Sequence, residues 1–447
     1  MGYDPLLTEE NDVKTIPIHI SFKPMYTTKR RYILLTGGRG SLKSSTTHDF
    51  VVRLSYEAGH GILFTRYILR SANDSIIPEF RACVQRLGVE GDFHITADRA
   101  TNKTNGSFIL FRGINTSSGD QTANLKSIHG ITTWVVEEGE DFKDEAKFNI
   151  IDDSVRSSEK QNRVIWIMNP TTKEHFIYQK WIRPKSKQKV VHGFNVTMSN
   201  DPSVEHIHTT YHIAEELGYL PKDWLSKANS YLEELNERLA KSKDEWVRSE
   251  IELINELNII RHDSHYYKNY IGGWRERAEG VIFDNWIEGK FNERIPSVYG
   301  LDFGYADPLA VVRVAVDRRQ RKIYLKEYIY ETELDEVENQ LHKVGISKVS
   351  LIVCDTNEGR TIKRIQKSGY NIQKAVKNII VEDIREMKQY LIIVDPNSNN
   401  LKSELNNYEW NDKKSDIPID TWNHLLDASR YGFRRLVKRK VGLRRRN

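Results

Sequence analysis

The sequence predicts two α/β domains in succession, separated by a helical segment. In the first half, short apolar runs alternate with helical stretches, which is typical of a parallel sheet built from strand–helix–strand units. A charged segment over 224–256 has helical periodicity and contains no Gly or Pro, and a second set of apolar runs begins near residue 297. We therefore expect a core over 1–200, a helical linker or lid over 201–290, and a second domain over 291–447.

Composition supports well-packed cores in a chain of this size. Of the 447 residues, 38% are hydrophobic and 29% are charged. No run approaches the ~20 apolar residues that span a bilayer, and the acidic N-terminus does not resemble a secretory signal. Two cysteines, Cys83 and Cys354, exclude a disulfide framework and a four-cysteine zinc site. The sequence therefore predicts a protein of a reducing cytosol with no membrane association.

The basic charge is concentrated at the C-terminus. The net charge is +5, from 67 Lys and Arg against 62 Asp and Glu. Nine of the basic residues and no acidic residue lie in Ala428–Asn447, so the rest of the chain has 58 basic against 62 acidic residues. Such a tail suits phosphate backbones. The alternative is a solvated extension, and the sequence leaves both open.

The elements of the first half follow from apolar periodicity. Helices are expected at about Lys43–Ala58 and at about Asp74–Leu87. Strands are expected at Arg31–Thr36, Gly61–Thr65, Ser107–Phe111, Thr132–Val136 and Arg163–Met168.

The second half shows a different order of elements. Strands are expected at Val298–Asp302, Leu309–Val316, Lys322–Tyr330 and Val349–Cys354, with a helix at about Leu334–Val344 and a closing helix from about Thr421. Three antiparallel strands, a helix and then a parallel strand form the opening of an RNase H-like sheet. The pattern therefore predicts an RNase H-like α/β domain.

A glycine cluster between the first strand and the first long helix has the context of a phosphate-binding P-loop. The run is Gly37-Gly38-Arg39-Gly40-Ser41-Leu42-Lys43-Ser44. Backbone N–H groups of such a loop surround a phosphate, Lys43 would reach the β and γ phosphates of ATP, and Ser44 would hold Mg²⁺. Leu42 occupies the usual second glycine position, and Gly40 is expected to supply the flexibility. A plain glycine turn beside a chance lysine is the alternative.

Two later strands end in polar residues that could complete a nucleotide site. Glu137 and Glu138 follow Thr132–Val136. The first acid can orient Mg²⁺ through water, and the second can polarise the attacking water. Asn169 follows Arg163–Met168 and could sense the γ-phosphate, although Asn-Pro also starts turns.

Acidic residues in the second half are placed for a metal site. Asp302 and Asp355 each end an apolar strand, and Asp427 lies on the closing helix. His424 is three residues and Asp420 seven residues before Asp427, so all three should face one side of that helix. Three carboxylates suit two hard divalent ions, Mg²⁺ or Mn²⁺, that cleave phosphodiesters. His424 could be a metal ligand, support a ligand, or be structural. Asp307 is more typical of a turn before Pro308, and Asp395 is a weaker mimic of a metal aspartate.

These motifs, in this order, resemble those of the large terminase subunit of tailed bacteriophages, over about residues 25–435. GGRGSLKSS resembles the family's phosphate loop, WVVEEGED its acidic strand end, and MNP its coupling motif. GLDFGYADP, VCD and DTWNHLLDASRY resemble its nuclease motifs. The resemblance implies that Arg39 helps to stabilise the γ-phosphate, and it matches Arg66 without assigning a role.

The resemblance implies a DNA-packaging motor. ATP hydrolysis would drive double-stranded DNA into a procapsid, and a metal-dependent endonuclease would cut concatemeric DNA. Its implied partners are the portal protein and a small terminase subunit, in the host cytoplasm, with the chain oligomeric on the portal and monomeric or oligomeric alone. Two other functions remain open: a helicase-like, nucleic-acid-stimulated ATPase without nuclease activity, and a binding scaffold whose sites have decayed.

Overall fold

The computed structural model describes residues 18–68, 76–116, 119–120, 129–244, 250–277, 280–304, 308–332, 336–355, 358–375, 379–411 and 417–437. The chain divides into two compact units, Met1–Arg275 and Glu276–Asn447. In the part of the chain that is described, no helix combines the length and the apolar character needed to cross a membrane. Asp307 lies outside the described residues, and so does the basic tail after Val437.

The first unit is built on a mixed, mainly parallel sheet. Its strands are β1 Tyr32–Gly37, β2 Gly61–Ile68, β3 Phe93–Ile95, β4 Arg99–Asn102, β5 Phe108–Thr116, β6 Gly119–Asp120, β7 Ile131–Val136, β8 Arg163–Met168 and β11 Val204–Thr209. Their spatial order is β11-β1-β8-β7-β2-β5-β4-β3, with β6 beside β5. Strands β9 Ser186–Val191 and β10 Phe194–Ser199 form a separate antiparallel hairpin. The pattern of alternating strands and helices therefore predicted this α/β fold correctly.

Strand order decides which chain segments meet at the site. β8 lies between β1 and β7 and is parallel to both. The carboxyl ends of parallel strands share one sheet edge, so the turns after β1, β8 and β7 are neighbours there. The central sheet also continues past residue 200, because β11 pairs in parallel with β1.

Helices cover both faces of this sheet and bury most of its apolar side chains. They are α1 Lys23–Thr27, α2 Lys43–Leu54, α3 Ile77–Leu87, α4 Glu145–Asp152, α5 His212–Glu216, α6 Lys222–Asp244 and α7 Glu250–Asp263. In the segment 224–256, which was expected to be helical, the described residues form α6 and α7. Helix α2 ends at Leu54, four residues before the expected end, with Ser55 as its C-cap.

The second unit contains the expected antiparallel meander. β13 Ser297–Asp302, β14 Leu309–Asp317 and β15 Lys322–Glu331 pair antiparallel in sequence. β16 Ile352–Cys354 then joins β13 in parallel. The remaining strands are β12 Trp286–Glu288, β17 Ile372–Lys374 and β18 Leu391–Val394, and the sheet order is β12-β18-β15-β14-β13-β16-β17.

The helices of this unit are α8 Val337–Lys343, α9 Gly359–Lys367, α10 Ile380–Met387, α11 Asn399–Asn407 and α12 His424–Val437. Helix α12 packs directly on β13 because Gly300 faces it: a Cβ at Gly300 would collide with the carbonyl oxygen of Ala428. The closing helix begins three residues later than expected, at His424. Trp422 has a left-handed φ of 59°, so the helical spacing drawn from Asp420 is wrong. Asp420 is an exposed residue before the helix.

Candidate functional sites

The glycine loop of the first unit encloses a cavity of about 350 Å³. The cavity is lined by Gly38–Ser44 with Glu137, Glu138 and Asn169, so the structure brings these sequence-predicted residues together. Gly37 contributes through its carbonyl oxygen, which accepts a hydrogen bond of 2.9 Å from Lys43 Nζ. The cavity volume lies in the usual range for small-molecule pockets, and the α2 N-terminus gives the cavity positive potential.

The loop's left-handed positions differ from the expectation in one respect. Gly40 has a φ of 72°, as expected for the flexible residue. Leu42 is also left-handed, with a φ of 60°, and it caps helix α2. Its side chain packs against the apolar core of the unit. The position that usually carries the second glycine therefore keeps a glycine-like backbone, which a packed leucine side chain holds in place.

A segment inside the predicted helical linker supports this loop. The Asn269 carbonyl accepts a hydrogen bond of 2.7 Å from the backbone N–H of Arg39. A Cβ at Gly38 would collide with the Tyr270 carbonyl, and a Cβ at Gly272 would collide with the backbone of Gly37 and Gly38. Residues 269–272, hereafter the brace, thus fix the loop by backbone contact. Nothing in the local sequence pattern indicated this contact.

Lys43 lies at the bottom of the cavity and is almost fully buried. Its Nζ donates to Gly38 O at 2.9 Å, Ser41 Oγ at 2.8 Å and Asn169 Oδ1 at 3.1 Å. Burial lowers the pKa of Lys43 to about 8, and the carboxylate of Glu140 opposes that shift. The lysine is therefore a desolvated cation surrounded by acceptors, which suits it to bind an incoming phosphate.

Glu140 is a site residue that sequence reasoning missed. It accepts hydrogen bonds from the backbone N and the Nδ2 of Asn169, at 3.2 and 3.1 Å. Burial raises the pKa of Glu140 to about 7, and Lys43 counters the rise. The two bonds orient the Asn169 amide so that its oxygen faces Lys43. The run of acids in EEGED gave no means of telling this residue from its neighbours.

Arg66 holds the acid pair after β7. Its Nε lies 3.0 Å from Glu137 Oε2 and its Nη1 lies 3.2 Å from Glu138 Oε1. Glu137 is 1% exposed, whereas the Glu138 side chain is 46% exposed and its backbone is left-handed. Burial raises the pKa of Glu138, and Arg66 opposes that rise. One acid is therefore fixed inside the protein, and the other lies at the rim of the cavity.

The second unit brings three predicted aspartates and His424 together. β13 and β16 pair with Leu301 opposite Cys354, so Asp302 and Asp355 emerge at adjacent strand ends. Burial raises the pKa of Asp302; its hydrogen bond with His424 opposes the rise and Asp355 adds to it. His424 Nδ1 lies 3.3 Å from Asp302 Oδ2. Burial likewise raises the pKa of Asp427, with Arg430 opposing and Asp302 adding.

Three further residues support this cluster and had no role from sequence alone. Arg430 Nη2 donates to Asp427 Oδ1 at 3.0 Å. Glu404 accepts a hydrogen bond of 2.9 Å from the backbone N of Leu426, and burial raises its pKa to about 7. Burial raises the pKa of Tyr431 far above its ordinary value, and the three aspartates add to the rise.

The donor set fits hard divalent cations. Three carboxylates that lie close together form a like-charge cluster, which Mg²⁺ or Mn²⁺ would neutralise. Asp395 has a different environment: it accepts backbone hydrogen bonds from Phe291 and Asn397, as expected of a turn residue.

The comparisons with known proteins agree on one family. A family model described as phage terminase large subunit matches residues 29–244, and one described as terminase RNAseH like domain matches residues 302–435. The large terminase subunit of Bacillus phage SPP1 is 26% identical, over 91% of this chain and 92% of its own length.

Two solved structures are among the similar ones. The nuclease domain of the SPP1 large terminase with bound Mn is 28% identical and covers 35% of this chain and 98% of its own, with a TM-score of 0.32. The large terminase of bacteriophage HK97 is 12% identical and covers 85% of this chain and 84% of its own, with a TM-score of 0.38.

Proposed function

Because this chain belongs to the phage terminase large subunit family, we propose that it is the ATP-driven motor and endonuclease of viral DNA packaging. The observation that carries the proposal is the presence of two separate phosphate-chemistry sites on one chain. The first unit has a phosphate-loop cavity beside an acid pair, and the second has a cluster of three aspartates. A helicase-like ATPase without nuclease activity would leave the aspartate cluster without a role.

In the proposed ATPase reaction, the loop's backbone N–H groups and Lys43 would bind the β and γ phosphates, and Arg39 would help to stabilise the γ-phosphate. Ser44 and Glu137 would hold Mg²⁺, which would supply charge neutralisation. Glu138 orients the attacking water, and its half-exposed carboxylate can reach the cavity. Asn169 accepts a hydrogen bond from Lys43 and donates to Glu140, so it would sense a γ-phosphate through Lys43.

In the proposed nuclease reaction, Asp302, Asp355 and Asp427 would hold Mg²⁺ or Mn²⁺, which would supply Lewis-acid stabilisation for phosphodiester cleavage. His424 and Arg430 hold the carboxylates of Asp302 and Asp427 in place. We propose that His424 orients Asp302, because its Nδ1 lies 3.3 Å from that carboxylate.

Two matched variants test the two activities together. Lys43→Ala should abolish ATP hydrolysis and leave metal-dependent nicking of plasmid DNA intact. The double variant Asp302→Asn, Asp355→Asn should do the reverse, because asparagine keeps the size of the side chain and removes the charge that holds metal. Wild-type ATP turnover by Lys43→Ala, or full cleavage by the double variant, would contradict the respective assignment.

The proposed partners are double-stranded DNA, a portal protein and a small terminase subunit, in the host cytoplasm. Contacts to DNA should be mainly to phosphates, because a translocating motor cannot depend on base identity. Residues 438–447, which the structure does not describe, carry the densest basic charge of the sequence. Deleting Val441–Asn447 should reduce the log–log salt slope of DNA binding by roughly 0.9 for each lost phosphate contact. An unchanged slope would assign the tail to solvent or to a protein partner.

A further inference from the structure

One imidazole and two carboxylates lie close together at the end of β7 in the first unit. His48 comes from α2, Glu79 from α3 and Glu137 from the end of β7. One nitrogen or oxygen atom from each lies within 4.8 Å of the other two. His48 and Glu137 are 2% and 1% exposed, whereas the Glu79 side chain is 46% exposed. The cluster is therefore buried on two sides and open to solvent on the third.

The buried members of the cluster have unmet polar atoms. Nδ1 of His48 and Oε1 of Glu137 lack a hydrogen-bond partner among the described residues, whereas Nε2 of His48 contacts the Glu79 carboxylate. The other oxygen of Glu137 is held by Arg66. A buried polar atom without a partner is unfavourable, so a ligand that binds these two atoms would stabilise the pocket.

The spacing of the cluster suits a metal ion. His48 Nε2 lies 3.4 Å from Glu79 Oε2. Two ligands about 2.05 Å from a tetrahedral ion are about 3.3 Å apart, so this pair already has the required separation. The His48 ring is fixed by stacking on Phe64, with ring centroids 4.8 Å apart and planes 20° apart. The His48 ring is therefore held in place, and the Glu137 atom of the cluster lies within 4.8 Å of those of His48 and Glu79.

We infer that His48, Glu79 and Glu137 form a binding site for a divalent transition-metal ion such as Zn²⁺ or Co²⁺. One imidazole nitrogen and two carboxylate oxygens favour these ions over Ca²⁺ or Mg²⁺, which prefer oxygen ligands alone. Three protein ligands leave the fourth position to water. The ion would bind the unpaired Oε1 of Glu137 while Arg66 keeps Oε2.

The site connects metal binding to ATP hydrolysis. Glu137 is the buried acid of the proposed ATPase site, so an ion that engages it should lower ATP turnover. This consequence rests on the proposed function. The site itself does not, because metal binding is measured without nucleotide.

The test uses the full-length chain carrying Asp302→Asn and Asp427→Asn, so that the aspartate cluster of the second unit does not bind the probe. Zn²⁺ is titrated by calorimetry, and Co²⁺ by the visible absorption of its tetrahedral complex, both without nucleotide or Mg²⁺. One equivalent of each ion should bind. Adding His48→Phe, which keeps the aromatic stack, or Glu79→Gln, at a half-exposed position, should remove that equivalent. His175→Phe, at a buried histidine outside the cluster, should retain it.

Absence of a bound equivalent in the starting chain would overturn the inference. So would binding that persists in both His48→Phe and Glu79→Gln, or an absorption spectrum typical of octahedral cobalt. If His48→Phe fails to fold, Glu79→Gln decides the result. Zn²⁺ inhibition of ATP hydrolysis should likewise disappear in Glu79→Gln. A chain without any ATP turnover in Mg²⁺ contradicts the proposed function and leaves the metal titration valid.

Discussion

The two sites are organised by different parts of the polypeptide. In the first unit, the phosphate loop is shaped by backbone contacts with the brace, and its acids are paired with Arg66 and Lys43. In the second unit, the site consists of carboxylate side chains, and burial raises the pKa values of Asp302 and Asp427, with a neighbouring aspartate adding to each rise. A site built from backbone keeps its shape without ligand, whereas a cluster of like charges needs a counter-ion. The two sites should therefore respond differently to packing changes, metal and pH.

The largest effect should follow from adding a side chain where β13 contacts α12. In Gly300→Ala, the new Cβ collides with the Ala428 carbonyl and moves Asp427 away from Asp302. Such overpacking should destabilise the second unit by about 3 kcal/mol and abolish nuclease activity, with ATP turnover retained. Gly91→Ala is the control, because a Cβ there meets nothing within 4 Å. Urea unfolding and plasmid cleavage measure the result, and intact cleavage would show that the contact does not set the site.

Metal should stabilise the second unit selectively. Mg²⁺ at 100 times its Kd should add about 2.7 kcal/mol to the free energy of unfolding of the unit that binds it. Hydrogen exchange of the full chain, followed segment by segment, should show protection of the segments around Asp302 and Asp427. The variant Asp427→Asn should lose most of that protection. Equal protection of the glycine loop without nucleotide would contradict the contrast between the sites.

The brace can be tested with a pair of left-handed glycines. Gly272 and Gly130 have φ values of 72° and 77°, but only a Cβ at Gly272 would collide with the loop backbone. Alanine at either position carries a backbone strain of about 1 kcal/mol. Gly272→Ala should in addition weaken ATP binding by about tenfold, or ~1.4 kcal/mol, because the loop must move. Equal ATP affinities of the two variants, measured by calorimetry, would argue against the brace.

The units should also show opposite responses to acid. His206 and His208 bond Thr36 inside the first unit, and burial lowers the pKa of His208 to about 3. Their folded state binds fewer protons than the unfolded state, so stability falls as pH drops below about 6.5. Asp302 and Asp427 have raised pKa values, so without metal their contribution to stability is lost as pH rises above the usual carboxylate range.

This opposition can be measured by hydrogen exchange at pH 7 and pH 5 in chelator, corrected for intrinsic exchange rates. Lowering the pH should open the segment around Thr36 and protect the segment around Asp302. His208→Asn should flatten the acid response of the first unit, because asparagine can keep the bond to Thr36 without titrating. Parallel responses of the two units would refute the electrostatic difference.

Local sequence patterns predicted much of the fold and part of each site. Apolar periodicity located β8 and the meander of the second unit, and strand ends located Asp302 and Asp355. The sequence patterns did not predict the roles of Glu140, Arg430 and the brace, because those roles depend on which segments pack together. The expected alignment of Asp420 with Asp427 failed because one left-handed residue, Trp422, interrupts the helical spacing. Periodic patterns along the chain can be predicted from the sequence, whereas contacts that form only in the tertiary fold cannot.

The left-handed Leu42 changes the entropy of the phosphate loop. A glycine would adopt this backbone without strain, but it would lose more conformational freedom on folding, by roughly 0.5–1 kcal/mol. Leucine loses less conformational freedom on folding, but the left-handed backbone gives it a steric strain of comparable size. Packing of its apolar side chain on the core offsets part of that strain. The physical requirement at this position is therefore a backbone conformation, not a residue type. A motif search that demands glycine there would pass over a loop that has the same shape.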